Sequence, residues 1–419
     1  MDGAAGHGKT HRLMEALKTA LEAAPLTEGQ RVLALTFMHG SRRRLEDRLR
    51  KIPGLAGHFD CVTIDSFAWR LRQRWRALSR GLGLPSPTAG PGQFTVECEG
   101  AGRLLEHATV NAWVARSFPL VTIDEAQDLA PERLIIVRAL SQTARVLIAA
   151  DEFQCLDQTL RPNPMTEWLP TVCQVETLGQ PRRTTVPELL AAAVALRTSQ
   201  PVLSKGKFKL MAAPSAPFAA ACLASALRWH SGGPVAIITP APKSVFVRDT
   251  IIRVQSQACG KRKYGPFPID WEESEYEELK RLSEGLAAGN APMTLRAALQ
   301  ALEGMPDSGP RRQTADWLHR QRRVAGRDSF SGEDIFETLR RFATNRRQRL
   351  GRYSPPFSVM TVHQAKNREF AGVVMLWPYE VGGDAETKRR LLYNGVTRAE
   401  RWCTVIAQGI KALNAMPFA

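Results

Sequence analysis

The chain has 419 residues, a 44% apolar fraction and a formal net charge of +16. This length can hold two or three domains with real hydrophobic cores. No apolar run reaches membrane-spanning length, no signal peptide opens the chain, and the seven cysteines form no C-x-x-C pair. These observations argue against a membrane protein, a zinc site and a disulfide framework, and they favour a cytoplasmic location. The excess of Lys and Arg predicts a polyanionic partner, with nucleic acid as the natural candidate.

The chain opens on a glycine-rich stretch, G-A-A-G-H-G-K-T, that fits the phosphate-binding P-loop pattern G-x-x-x-x-G-K-[ST]. Gly3, Gly6 and Gly8 would let the backbone wrap closely around a phosphate chain. We expect Lys9 to reach the β- and γ-phosphates and Thr10 to offer its hydroxyl to Mg²⁺. The alternative is a glycine-rich turn before a helix.

A P-loop normally follows a β-strand, and only Met1 and Asp2 precede this one. We therefore expect that strand to be missing from the chain or replaced by another segment. A missing strand would leave a sheet edge unpaired.

Apolar runs alternate with helical patterns over the first 150 residues, which is typical of a parallel α/β sheet. Predicted helices cover 9–24, 41–51 and 66–80, and predicted strands cover 31–36, 61–64, 118–123 and 145–150.

A second α/β set begins near residue 173, with strands predicted at 235–238, 358–361, 372–376 and 402–406. A helical and charged stretch, which is rich in arginine from 311 to 352, interrupts it. We therefore divide the chain into a first core at 1–172 with a small insertion at about 68–117, a second core at 173–240 and 355–419, and a helical, Arg-rich insertion at 241–354.

Two carboxylates follow an apolar strand of the first core. Asp124 and Glu125 lie where parallel α/β sheets bind ligands, at the carboxyl end of a strand. There Asp124 can hold the Mg²⁺ of a bound nucleotide, and Glu125 can polarise the attacking water as a general base. A solvated acidic turn is the alternative.

From Gly3 to about Ile406, a series of short segments resembles, in the same order, the motifs of the UvrD/Rep family of superfamily 1 DNA helicases. Asp124-Glu-Ala-Gln-Asp128 matches the family's D-E-A-Q-D in full. The other segments are similar to family motifs: 35–39 to L-T-F-T-N, 63–67 to T-x-H-S-F, 151–154 to G-D-x-x-Q, 178–184 to L-x-x-N-Y-R-S, 361–370 to T-x-H-x-x-K-G-L-E-F and 391–399 to L-L-Y-V-A-x-T-R-A. The resemblance implies an α/β fold with two RecA-like parallel-sheet cores and helical insertions, with ATP and Mg²⁺ as cofactors.

The resemblance also implies roles for single residues. Gln154 takes the position that senses the γ-phosphate, and Arg183 and Arg398 take the two arginine positions, although spacing alone leaves both as ordinary surface arginines. Glu369 takes the ribose-contacting position, Arg182 replaces the tyrosine that stacks on adenine, and Arg12 is a weak candidate for the other face of the base. The positions that correspond to nucleic-acid contacts are Thr36, Phe37, His39, Thr63, Ser66, Phe67, Thr361 and His363.

Several positions depart from the family pattern. Asp65 replaces a histidine, and Asn367 and Arg368 replace a Gly-Leu pair. The aromatic residues that usually follow the glutamine and touch bases are absent at 155–158. Nucleotide chemistry is therefore better supported than base stacking.

Clustered arginines at 42–51 and 70–80, the second interleaved with Trp69 and Trp75, suit phosphate binding and base stacking. The alternative is an amphipathic helix whose tryptophans face the core. For 311–352, a DNA face and a protein-partner face remain equally open.

Two hypotheses follow. The first is an ATP-driven translocase or helicase on single-stranded or tailed duplex DNA, for which the resemblance implies 3′-to-5′ movement. The second is a nucleotide-gated DNA-binding subunit of a larger repair or defence complex, with a protein partner and little unwinding of its own.

Overall fold

The computed structural model describes residues 1–37, 39–85, 93–230, 232–272, 293–305, 307–332, 335–336, 338–339, 342 and 356–419. For residues 39–41, 43, 93 and 325 the backbone alone is described. Residues 273–292 of the predicted helical insertion lie outside these ranges, as does much of the Arg-rich span that ends at 352.

The first core is built on a four-stranded parallel sheet. Its strands are β2 (Val32–Thr36), β3 (Phe59–Thr63), β4 (Leu120–Ile123) and β5 (Arg145–Ile148), in the order β3-β2-β4-β5. All five residues of β2 are buried, because alternate residues of the strand enter apolar clusters on opposite faces of the sheet. Helices therefore cover both faces, as parallel sheets require; they are Lys9–Ala23, His39–Leu49, Ile64–Arg74, Arg76–Gly81, Gln93–Glu106, Ala108–Ser117, Pro131–Ser141 and Pro164–Val172.

The residues before the P-loop form a short strand, so the expectation of a missing strand is wrong. Asp2 and Gly3 make up β1, which pairs in parallel with β6 (Thr177–Leu178). On its other side β1 meets the end of the first sheet, where the Ala150 N–H donates to the Met1 carbonyl at 3.1 Å. These first residues pair on both sides and anchor the loop that follows.

The second core is a six-stranded parallel sheet. Its strands are β7 (Phe208–Ala213), β8 (Val235–Thr239), β9 (Asp270–Trp271), β12 (Phe357–Thr361), β13 (Phe370–Trp377) and β14 (Ala399–Gln408), in the order β7-β14-β13-β8-β12-β9. The central strand β13 is buried along its whole length, which requires cover on both faces. Helices supply that cover at Pro187–Arg197, Ala216–Arg228, Val245–Ser256, Val362–Ala365, Ala385–Val396 and Gly409–Leu413.

The predicted fold class, an α/β fold with two RecA-like parallel-sheet cores and helical insertions, is confirmed. The start of the second insertion differs from the expected residue 241. The helix Val245–Ser256 packs on the second sheet, and β9 pairs with β12, so residues up to 272 lie with the second core. Within the described part of the insertion, a small apolar cluster joins the helices Leu295–Glu303 and Gly309–Ala325 to the strand pair β10 (Met293–Thr294) and β11 (Ser329–Phe330).

Two surface expectations also change. The predicted helix 66–80 is two helices that meet at Trp75, whose ring packs against the first core beside Trp113. Trp69 stays half exposed. Arg72 is buried in an ion pair with Glu97, so this arginine of the basic cluster supports the fold rather than a phosphate. Among the described helices, none combines the length and apolar character needed to cross a bilayer.

Gly372 in β13 gives a test of the second sheet. A Cβ at this position would lie 2.2 Å from atoms of the Trp402 ring on β14. We expect Gly372→Ala to lower the free energy of unfolding by about 1–3 kcal/mol, the usual cost of overpacking. Gly382→Ala is the matched control, since nothing lies within 4 Å of a Cβ there. Denaturant unfolding measures both, and equal stability of the two variants would contradict this packing.

Candidate functional site

The glycine-rich loop wraps around its own lysine. Gly6 and Gly8 both have φ of 79°, a left-handed conformation that glycine adopts without strain. The loop therefore turns tightly into the helix Lys9–Ala23, whose N-terminus has no side-chain cap. Lys9 is buried, and its Nζ donates to the carbonyls of Gly3 at 2.8 Å and Ala4 at 3.2 Å. Uncapped N–H groups at a helix start and an adjacent cation suit an anionic ligand.

A hydroxyl and a carboxylate meet beside this loop. The Thr10 hydroxyl donates to Asp124 Oδ2 at 2.9 Å, at the point where β4 ends. Burial and the neighbouring Glu125 raise the pKa of Asp124 to about 6, against the opposing effect of the Thr10 hydrogen bond. Oxygen donors of this kind fit Mg²⁺. Among the described residues, no group of three or more His, Cys, Asp or Glu side chains that could hold a metal ion is present.

Glu125 is held in an unusual backbone conformation. Its φ is 58°, which is uncommon for a residue with a Cβ. Its Oε2 accepts a hydrogen bond from Gln127 Nε2 at 2.6 Å, and Gln127 Oε1 accepts the N–H of Asp151 at 2.9 Å. The turn that follows β4 is thereby tied to the turn that follows β5.

Asp151 is the charged centre of the site. Its side chain has no exposed surface and accepts hydrogen bonds from Arg197 Nη1 at 2.7 Å and Gln154 Nε2 at 2.9 Å, and Lys9 Nζ lies 3.5 Å away. Burial alone would raise the pKa of Asp151, but Lys9 and Arg197 together hold it below its ordinary value. Asp151 is therefore an anion with cations from both cores around it.

Arg398 joins the second core to the first. Its Nη2 donates to Gln154 Oε1 at 2.8 Å, and its Nε donates to the Asn394 carbonyl at 3.0 Å. The side chain is only 1% exposed. Burial and the nearby Arg183 lower the pKa of Arg398 to about 9. The structure thus brings together Gln154 and Arg398, two of the predicted catalytic residues.

Arg183 lies against the P-loop. Its N–H donates to the Gly6 carbonyl at 3.0 Å, its Nε donates to Glu369 Oε1 at 2.8 Å, and its Nη1 donates to the Thr397 carbonyl at 2.8 Å. Burial would raise the pKa of Glu369, but Arg183 holds it below its ordinary value. Arg183 and Glu369 therefore lie beside the loop as a pair.

The two residues predicted to flank adenine have different surroundings. The Arg182 N–H donates to the Gly6 carbonyl at 2.7 Å, and its side chain crosses the loop so closely that a Cβ on Gly8 would lie 2.6 Å from Arg182 Cδ. Arg12 instead pairs with Glu176 at 2.8 Å on the exposed surface. Arg182 adjoins the loop directly, whereas Arg12 is engaged elsewhere.

The predicted nucleic-acid residues fall mostly at the carboxyl ends of strands. Thr36 and Thr63 are register partners at the ends of β2 and β3, and Thr361 ends β12 and caps the next helix. The Thr63 hydroxyl donates to Ser66 Oγ at 2.7 Å and accepts the Ser66 N–H at 3.2 Å.

The remaining positions of this set differ in exposure. Arg133 lies over the Phe37 ring at 5.4 Å, and His363 is exposed. The side chain of His39 lies outside the described residues. Phe67 is 5% exposed and packs in the first core, so its ring face is covered by other side chains. The predicted contact for Phe67 is therefore not supported, and the other contacts stay predictions.

Sequence reasoning missed four residues that link the cores. Arg197 and Tyr393 contact Asp151, and Lys366 Nζ lies 2.6 Å from both carboxylate oxygens of Asp128 in a buried pair. Asp128 and Lys366 both lie inside quoted motifs, which was an available signal. Arg197 lies in no motif, so only the fold could bring it to the site.

Residues 356–406 match the family described as the UvrD-like helicase C-terminal domain. This segment contains Thr361, Lys366, Glu369, Tyr393 and Arg398, and the resemblance to the UvrD/Rep family that the motifs predicted is confirmed.

Other comparisons are more distant. No curated protein matches the chain. Among solved structures, the Arterivirus nonstructural protein 10 helicase is 11% identical with a TM-score of 0.41 and covers 100% of this chain. The complex of that helicase with DNA is 11% identical with a TM-score of 0.40 and covers 99% of this chain. In both cases this chain spans 61% of the viral protein.

The buried pair between Asp128 and Lys366 yields a stability test. Lys366→Met leaves a buried carboxylate without its cation, so we expect the free energy of unfolding to fall by about 3–5 kcal/mol. Replacing both residues, with Asp128→Leu added, should recover most of the loss because no unpaired charge remains. Lys411→Met, at an exposed lysine, is the matched control. If Lys366→Met unfolds like the wild type, the pair does not hold the cores together.

Proposed function

We propose that this protein is an ATP-driven translocase or helicase that moves 3′-to-5′ on single-stranded DNA and hydrolyses ATP between its two cores. The observation that carries the proposal is the bond between Arg398 of the second core and Gln154 of the first. Gln154 in turn donates to Asp151, whose carboxylate lies 3.5 Å from Lys9 of the glycine-rich loop. In such NTPases a facing arginine stabilises charge on the transferred phosphoryl group.

The side chains divide the chemistry among them. Gly3, Gly6, Gly8 and Lys9 would bind the phosphates, while Arg182 would contact the base and Glu369 the ribose. Thr10 and Asp124 would hold Mg²⁺, which supplies charge neutralisation on the phosphates. Glu125 would orient and deprotonate water, and Gln154, Arg183 and Arg398 would contact the γ-phosphate region. Arg12, engaged with Glu176, has the weakest claim to a nucleotide contact.

Movement would follow from the same contacts. Arg398, Arg183 and Arg197 all reach residues of the first core or its P-loop from the second core. A nucleotide that changes these contacts would change the separation of the cores. The DNA strand would run across the carboxyl ends of the strands, where Thr36, Thr63 and Thr361 lie. The direction of movement rests on the family resemblance, and the cytoplasmic location stays a prediction.

A second function has one observation in its favour. At 155–158, where the family carries aromatic residues that touch bases, Cys155 is fully buried and Leu156 is 9% exposed. These side chains cannot stack on a base. The same site would then serve a nucleotide-gated DNA-binding subunit of a repair or defence complex, with a protein partner and little unwinding of its own.

Steady-state ATPase with and without single-stranded DNA tests the enzymatic proposal. We expect DNA to stimulate the wild type, Lys9→Ala to be inactive, and Glu125→Gln to bind nucleotide yet hydrolyse it about 10²–10⁴-fold more slowly, since the base is lost and the shape kept. Glu22→Gln, at an exposed glutamate of the helix that follows the loop, is the control. Wild-type turnover by Glu125→Gln would remove it as the base. Turnover unaffected by DNA would favour the gated subunit.

Displacement of streptavidin from biotinylated single strands tests direction without requiring unwinding. We expect ATP-dependent displacement from the 5′ end only, because a 3′-to-5′ translocase runs toward that end. Lys9→Ala should displace none from either end. Preferential displacement from the 3′ end would reverse the proposed polarity. If DNA stimulates ATP hydrolysis but streptavidin is displaced from neither end, the result would favour the nucleotide-gated subunit over the translocase.

A further inference from the structure

A tyrosine of the second core accepts a hydrogen bond from a backbone amide of the P-loop. The Ala5 N–H donates to the hydroxyl oxygen of Tyr393 at 2.7 Å, between residues 388 positions apart. Tyr393 belongs to the helix Ala385–Val396 and has no exposed surface. Phosphate-binding loops use backbone N–H groups of this kind to hold phosphate oxygens. The Tyr393 hydroxyl therefore accepts a hydrogen bond from an N–H group that a bound phosphate would also use.

The same hydroxyl is tied to the charged centre of the site. It accepts a hydrogen bond from Arg197 Nη1 at 3.1 Å and lies 3.4 Å from Asp151 Oδ2, to which it donates. Asp151 also lies 3.5 Å from Lys9. One group of three side chains, the buried Tyr393 and Asp151 and the partly exposed Arg197, thus contacts both the amide and the lysine of the loop.

Aromatic packing fixes where this hydroxyl lies. The rings of Phe153 and Tyr393 meet edge to face with centroids 5.0 Å apart. The Arg197 guanidinium lies 5.4 Å from the Phe153 centroid and 5.5 Å from the Tyr393 centroid. Because the Tyr393 ring is packed on several sides, it cannot move freely with the loop. A change in the position of Ala5 therefore changes its hydrogen bond to the second core.

We propose that Tyr393 is a positioning residue that reports phosphate binding to the second core, because its hydroxyl and a nucleotide phosphate compete for the Ala5 N–H. When a phosphate oxygen takes the amide, the hydroxyl keeps Arg197 and Asp151 as partners and loses its hydrogen bond to Ala5. This inference rests on the proposed function as an ATPase.

Arg197 has a separate part in the exchange. It shares the charge of Asp151 with Lys9, so that Asp151 does not depend on Lys9 alone for compensation. With Arg197 in place, Lys9 can turn toward a phosphate at small cost. Without Arg197, a buried carboxylate would retain Lys9 as its main cation and compete with the nucleotide for it.

Two substitutions should therefore change nucleotide affinity in opposite directions. Tyr393→Phe frees the Ala5 N–H, so we expect a fluorescent non-hydrolysable ATP analogue with Mg²⁺ to bind about 2- to 10-fold more tightly, the range for loss of one competing hydrogen bond. Arg197→Gln should weaken binding of the same analogue. Tyr379→Phe, at a half-exposed tyrosine of the second core, is the matched control and should leave affinity unchanged.

Hydrogen exchange gives a readout that does not depend on nucleotide. In the full-length protein without nucleotide, the peptide that contains Ala5 should exchange faster in Tyr393→Phe than in the wild type, because its amide has lost an acceptor. Tyr379→Phe should exchange like the wild type. Equal exchange in Tyr393→Phe and the wild type would overturn the bond itself.

The outcomes separate this inference from the proposed function. If neither the wild type nor any variant binds the analogue, the ATPase proposal fails. If the wild type binds, Lys9→Ala does not, and Tyr393→Phe binds equally or more weakly, only the competition is overturned. A merely structural role for Tyr393 and Arg197 predicts weaker binding in both variants, so tighter binding in one and weaker in the other supports the inference.

Discussion

The carboxylate of Asp151 constrains the whole arrangement. A buried, unpaired charge is among the most costly features that a fold can contain. Asp151 has no exposed surface, and it is stabilised by Lys9 from the P-loop, Arg197 from the second core and Gln154 from its own turn. Neither core supplies this set alone, so the pairing of the charge fixes where the two sheets meet.

Close approach around the loop follows from that constraint. The segment that connects the cores donates two N–H groups, from Arg182 and Arg183, to the Gly6 carbonyl. A Cβ on Gly6 would lie 2.9 Å from Arg183 Cβ, so this position needs glycine for packing as well as for its positive φ. The glycines that make the loop fit a phosphate also let the second core's arginines reach it.

Local patterns predicted most strands of the two main sheets, though not β7 and β9, and the position of the two carboxylates after β4, because each depends on a few consecutive residues. The same patterns could not predict contacts between residues that are far apart in the chain. Ala5 and Tyr393 are 388 positions apart, and Arg197 lies at the end of a helix with no motif. The strand β1 was missed because its two residues become a strand only through partners near residues 150 and 177. Phe67 was assigned to nucleic acid by position in a motif, whereas its burial is decided by the packing of several helices.

The departures from the family pattern differ in their structural consequences. Asn367 stands where the family has glycine, and its φ of 61° lies in the left-handed region, which asparagine tolerates better than most residues. The turn between Lys366 and Glu369 therefore forms without a glycine at this position. The loss of aromatics at 155–158 has no such compensation, because Cys155 and Leu156 are buried between the cores. A strand that crossed this surface would be held through its phosphates rather than its bases, which agrees with the basic excess of the chain and with a grip that does not depend on base identity.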